Sequence, residues 1–233
     1  MRTTAALAAL VLVAACGERP EPDAGPPPVP STPNVAAPAT AAAPDAAADG
    51  DRGGTSDWRE VVSTEDASRL GRLDQAWRLA RAEAEDKGFA AQVEALGPLV
   101  DPNAGLDGGL QPGPGDYRCR TIKLGSSGPG GLAFVEYPRF RCTVELTPGG
   151  DLVRTKTTGS QRTRGLLYPD TDRRLVFVGA QAWGMDETGW PTYGQTPERD
   201  QVGVFERIGP ARWRLVLPWP RVDSKLEILE LVR

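Results

Sequence analysis

Two short stretches concentrate the side chains best able to hold a ligand. In "TKTTGSQRTRG" (155–165), Lys156, Gln161 and Arg162 flank Ser160 and the backbone of Gly159. An ammonium, an amide and a guanidinium fork around one turn make a patch for a carboxylate or phosphate. The same residues also suit a tight turn at Gly159 tied down by cross-strand ion pairs. In "WGMDETGWPTYG" (183–194), Trp183, Trp190 and Tyr193 share one long loop. Aromatic loops stack on sugars or plug a barrel mouth, or fold back as a lid over the core. Three acid pairs, Asp170 with Asp172, Asp186 with Glu187 and Glu198 with Asp200, have the composition for general acid–base work. All lie in turn-like sequence, where acids are common.

Other chemistries are excluded by composition. The chain has no histidine, so Ser-His-Asp and Cys-His catalysis and every histidine-ligated metal site are closed to it. It has three cysteines, too few for a thiolate zinc or iron–sulfur site once Cys16 is assigned below. "GSSGPGG" (125–131) is glycine-rich but is not followed by a helical pattern, so it reads as a hairpin loop rather than a phosphate cradle. No catalytic residue, metal or cofactor is assigned.

Residues 1–16 place the protein. Arg2 precedes an apolar run that closes on Val13-Ala14-Ala15-Cys16, the pattern of an exported lipoprotein signal in which Cys16 is lipidated. The run falls short of the ~20 residues that span a bilayer. Gly17 in place of the retaining Asp points to the outer membrane, with the body facing the periplasm. The alternative is plain cleavage after Ala15. Residues 17–56 are rich in Ala and Pro and lack aromatics, so they read as a disordered tether.

In an oxidising compartment Cys119 and Cys142 are the remaining pairable set, leaving a disulfide or a reactive dithiol. Cys142 shares its alternating face with Phe140, Val144 and Leu146, which points it inward and favours the disulfide. A tight turn in 126–131 sets Cys119 opposite Pro138, four residues short of Cys142, so the bridge needs an excursion near 132–138.

The elements that position these residues fall into two parts. In 57–112, Ser63 or Thr64 caps a helix whose Leu70, Leu73, Trp77, Ala80 and Ala84 recur every three or four residues. Gly88 stops it, and a short second helix carries Phe89, Val93 and Leu96. From 113 to 233 the sequence becomes about eight short alternating runs punctuated by Gly and Pro, with no helical crossover. The expected fold is α+β: a helical hairpin on a mainly antiparallel sheet of about eight strands, barrel-like or strongly curved, with 57–233 as one domain. The helical part carries 6 Lys+Arg against 11 Asp+Glu and the β part 18 against 14. Arginines interspersed with acids are no nucleic-acid footprint.

"DWREVVSTEDASRLGRLDQAW", "GDYRCRTIKLG", "YPRFRC", "GSQRTRGLLYPD" and "YGQTPERDQVGVFERIGPARWRLVLPWP", in this order, resemble the exported bacterial family called domain of unknown function 4893. The resemblance covers nearly all of 57–233. It implies export and a disulfide-compatible cysteine pair, and it carries over no catalytic residue. The functional expectation is a non-enzymatic envelope lipoprotein that reaches the membrane through its lipid alone and binds an anionic small molecule or an envelope protein. A carboxylate-dependent hydrolase and a purely structural envelope component are the alternatives.

Overall fold

The structure, a computed structural model, describes residues 55–233. The export segment, Cys16 and the tether up to residue 54 lie outside the described residues. After a 3-10 turn at Trp58–Glu60, Ser63 caps α1 (Thr64–Gly71) by accepting a hydrogen bond from the Asp66 amide at 3.2 Å. The single apolar stripe of the sequence is carried by two helices. Arg72, outside helical geometry, separates α1 from α2 (Leu73–Ala84). A wide turn follows, in which Gly88 takes φ +90°, and the chain re-enters a helix at α3 (Ala90–Ala95).

Nine strands follow: β1 (Gly115–Ser126), β2 (Phe134–Glu136), β3 (Phe140–Leu146), β4 (Leu152–Lys156), β5 (Gln161–Pro169), β6 (Leu175–Trp183), β7 (Asp200–Gly209), β8 (Arg212–Pro218) and β9 (Ser224–Val232). Every pairing is antiparallel. Because β9 pairs back onto β1, eight strands close into a barrel, and β2 is an extra strand on the upper half of β1. Closure removes the free edges that an open sheet would expose.

Tight curvature needs glycine on the inner wall. Gly165 and Gly179 face each other across β5 and β6. A Cβ on Gly179 would stand 2.1 Å from the Arg164 carbonyl oxygen and 2.6 Å from the Gly165 Cα, so the two strands approach closer than any side chain permits.

The lumen is divided along its length. Its lower half is apolar, filled by Tyr117, Val144, Leu152, Leu167, Phe177, Phe205, Trp213, Leu215, Leu229 and Leu231. The segment following the helices plugs this end. Leu110 packs there, its carbonyl accepting from the Trp213 indole at 2.9 Å, while Tyr117 Oη donates to the Gly113 carbonyl at 2.6 Å. Cys119 and Cys142 are joined by a disulfide inside this half, with Cα atoms 5.9 Å apart and both residues buried. Register explains the bridge. Cys119 stands opposite Phe140 and Cys142 opposite Tyr117, a diagonal offset of two residues rather than four. One residue of that shift is already present in β2, whose register would set Cys119 opposite Arg139, and the second is inserted where β2 ends and β3 restarts around Pro138, where the sequence called for an excursion.

Two patches on the outer wall are also covered. The small face of α2 (Ala76, Trp77, Ala80, Ala84) lies on Ile122, Leu124, Leu226 and Ile228, and Gly125 lets Ala80 approach within 2.9 Å of where its Cβ would be. Arg214, fully buried beside Glu206, donates to the carbonyls of Pro98, Leu99 and Asp101 and holds the helical arm on the barrel. Trp58, Val61, Val62 and Tyr193 cover the second patch, on β4 to β7.

Candidate functional site

The upper half of the lumen is polar and cationic. It is built by inward positions of β1, β4, β5, β6, β7 and β9. Thr121 and Lys123 share the inward face of β1 with Cys119, and Arg154 and Lys156 share that of β4 with Leu152. Lys123, Arg154 and Lys156 are 3%, 1% and 5% exposed, and the buried acid facing them is Glu227, 4% exposed.

Their partners are unequal. The Lys123 ammonium lies 3.0 Å from Asp223 and 3.9 Å from Glu227. Arg154 donates to the Thr163 hydroxyl and, at 3.3 Å, to the Cys142 sulfur. Lys156 donates to the Gln161 carbonyl at 2.7 Å and sits 4.0 Å above the Phe140 ring. Among the described residues, neither Arg154 nor Lys156 has a carboxylate within ion-pair distance. Burial therefore dominates both titrations. It pulls Arg154 down to about 10 and Lys156 down to about 8, with Glu227 opposing in each case and Arg154 and Lys123 adding to the fall at Lys156. Burial raises the Glu227 carboxyl against the pull of the three cations.

A cavity of about 150 Å³ opens onto this cluster, lined by Thr121, Tyr137, Phe140, Lys156, Ser160 and Gln161. It lies where β1 exchanges β3 for β2 as its neighbour, a gap in the wall created by the break at Pro138. The Thr121 hydroxyl, in a residue 4% exposed, has no hydrogen-bond partner among the described residues. Gln161 spans the opening. Its Oε1 accepts from Lys123 at 2.8 Å and its Nε2 donates to Asp223 at 3.2 Å. The arrangement offers an anion one ammonium, one unengaged hydroxyl and a guanidinium behind them. Among the described residues no group of three Asp, Glu or Cys side chains is placed to hold a metal ion.

The structure separates the residues singled out in the sequence. Lys156 and Gln161 border this cavity. Trp183 ends β6 opposite Gln161 but does not line the cavity, its indole donating to Gln181 at 3.0 Å under the Arg199 guanidinium. Arg162 points outward, donates to the Glu187 carbonyl at 2.5 Å and lies 5.2 Å from Trp190, so this pair straps the 184–199 loop to the outer wall. Tyr193 Oη donates to Asp66 at 2.5 Å and accepts from the Ser63 amide at 2.9 Å, which joins that loop to α1. Burial and the Asp66 acceptor push the phenol up to about 12.

In each acid pair one member is engaged elsewhere. Asp170 accepts from Trp58, Arg59 and Arg174 at 2.9, 3.1 and 2.7 Å, while Asp172 is exposed. Glu187 pairs with Arg199. Asp200 is buried, accepts from the Gly194 amide at 3.0 Å and is raised by burial first, then by nearby Asp66.

Thr121, Lys123, Arg154 and Glu227 were not singled out from sequence. One signal was present: in "CRTIKLG", Thr121 and Lys123 keep the same alternation as inward-facing Cys119.

Fold and site together define a small closed antiparallel barrel, plugged at one end, with a cationic half-lumen that opens through a gap in its wall. The chain belongs to the family described as Domain of unknown function (DUF4893), whose model matches residues 58–231. No curated protein and no solved structure matches the chain.

Proposed function

We propose that this domain is a non-enzymatic binding protein whose barrel holds a small anion in its upper half, and that it works as an exported, lipid-anchored envelope protein. One observation carries the binding reading: Lys123, Arg154 and Lys156 are buried together with too few acids facing them. Buried charge is costly unless it is paired. An anion entering beside Lys156 supplies the missing partner and gives the unengaged Thr121 hydroxyl an acceptor. The engagement of one member of each acid pair in an ion pair or turn supports binding over hydrolysis. The signal pattern ending at Cys16 supports the location.

Isothermal titration of the protein with sodium acetate and with inorganic phosphate tests the reading. Saturable binding of at least one anion is expected, weakened roughly 10- to 100-fold by Lys156→Met, the range of one charge-assisted hydrogen bond. Absence of saturable binding, or identical affinity in the variant, overturns it.

A further inference from the structure

We infer that the ligand is an amphiphilic monoanion, a carboxylate carrying a linear apolar tail, with its head beside Lys156 and its tail in a neighbouring cleft. This rests on the anion-binding reading above and names its ligand class.

The head is set by charge. The formal charges of Lys123, Arg154 and Lys156 against Asp223 and Glu227 leave one positive charge unbalanced, and one carboxylate neutralises it. The head pocket is small, about 150 Å³, and Thr121 presents its free hydroxyl there.

The tail is set by what adjoins that pocket. Tyr137 lines both the head pocket and a second cavity of about 320 Å³, more than twice as large, whose walls include Leu132 and Val135. The Tyr137 ring is 6.5 Å from that of Phe140 and 5.9 Å from the Lys123 ammonium, so the route between the two cavities runs along aromatic surface under a cation. Leu132 is 69% exposed at the end of the glycine loop. A single exposed leucine means little. This one is contiguous with Val135 and Tyr137, in a cleft whose remaining walls are Ser127, the glycine loop and the Lys123–Asp223 ion pair, and which Tyr137 joins to the pocket of the unpaired Lys156. Val135 turns to this cleft while its neighbour Phe134 packs against Phe89 under the helices. An apolar chain laid there removes Leu132 and Val135 from water as its head neutralises the cluster.

The test is titration of the full chain with acetate, decanoate and decanol below the concentrations at which they aggregate. Decanoate is expected to bind at least about tenfold tighter than acetate, the return from burying two or more methylenes, and decanol not to saturate. Leu132→Ser, at an exposed position that leaves folding intact, is expected to weaken decanoate and leave acetate unchanged. Equal affinities for acetate and decanoate, or indifference of decanoate to Leu132→Ser, overturn the amphiphile while the anion site stands. Failure of both anions to bind overturns the site itself. Decanoate binding unchanged by Lys156→Met refutes the placement of the head.

Discussion

Lys156 and Glu227 bear opposite relations to the stability of the ligand-free barrel. Lys156 is a buried ammonium facing Lys123 and Arg154 on the inside and Arg162 nearby, with Glu227 its only attractive acid among those acting on it. Replacing it by methionine keeps the length of the side chain and removes the unpaired charge, so Lys156→Met should stabilise the empty protein by about 1 kcal/mol, raising its Tm by about 2–4 °C. Glu227→Gln removes the buried acid facing three cations and should cost roughly 3–5 kcal/mol. The pH dependence has a definite sign. With its pKa drawn from 10.5 down to about 8, Lys156 bears the full burial penalty below pH 8. Above it the folded state gives up a proton that the unfolded state still holds, so stability rises with pH between about 8 and 10. Denaturant melts of wild type and Lys156→Met across that range check this. The wild-type slope should exceed that of the variant, and parallel curves would remove the argument for a desolvated ammonium.

At the scale of elements, the barrel depends on strands that approach without side chains between them. Gly179→Ala sets a methyl against the backbone of β5, where both contact atoms are main-chain and cannot rotate away. A loss of several kcal/mol, or failure to fold, is expected. Gly71→Ala is the control. It ends α1 with nothing within 4 Å of the added carbon, and should stabilise by about 0.5–1 kcal/mol. Chemical denaturation of the two variants separates steric closure from propensity, and similar outcomes would contradict the contact geometry. The same elements show what the sequence could display. The stripe of α2 was legible because its Ala and Trp positions fall on one face, and the cysteine pair because Cys142 alternates with arginines. Which face of β6 lines the lumen was not. Leu175 and Phe177 point inward while Val176 and Val178 lie under Tyr193 and the 58–62 turn, so the run is apolar on both faces. Lys123 and Arg154 were obscured for the converse reason. A charged residue on a strand ordinarily faces water, and only closure of β9 onto β1 turns these inward. Arg162 misled because it shares a turn with Lys156 and Gln161, yet the period of two along β5 sends it to the opposite face from Gln161.

Across the whole molecule, the lumen is divided into a packed end and a charged end, and the proposed function would assign stability to the first and binding to the second. The lower end is a packed core, with Leu110 plugging it, Trp213 and Tyr117 in edge-to-face contact at 6.0 Å and the disulfide closing a loop worth about 3 kcal/mol. The upper end has unbalanced charge, an unengaged hydroxyl and cavities. A molecule organised in this way should let the two properties be changed separately. Leu110→Ala removes the plug side chain and should cost roughly 2–3 kcal/mol, as a buried leucine does, while acetate affinity stays at the wild-type value. Thr121→Val keeps the shape of the side chain but deletes a buried hydroxyl that has no partner in the empty barrel. It should leave stability unchanged or raise it by up to about 1 kcal/mol, and weaken acetate severalfold because the carboxylate loses a donor. Urea melts paired with calorimetric titrations of both variants give the four numbers. If Thr121→Val destabilised the protein without touching affinity, the upper half-lumen would be a polar core stabilised by its own contacts, and the bound anion would have no place in it.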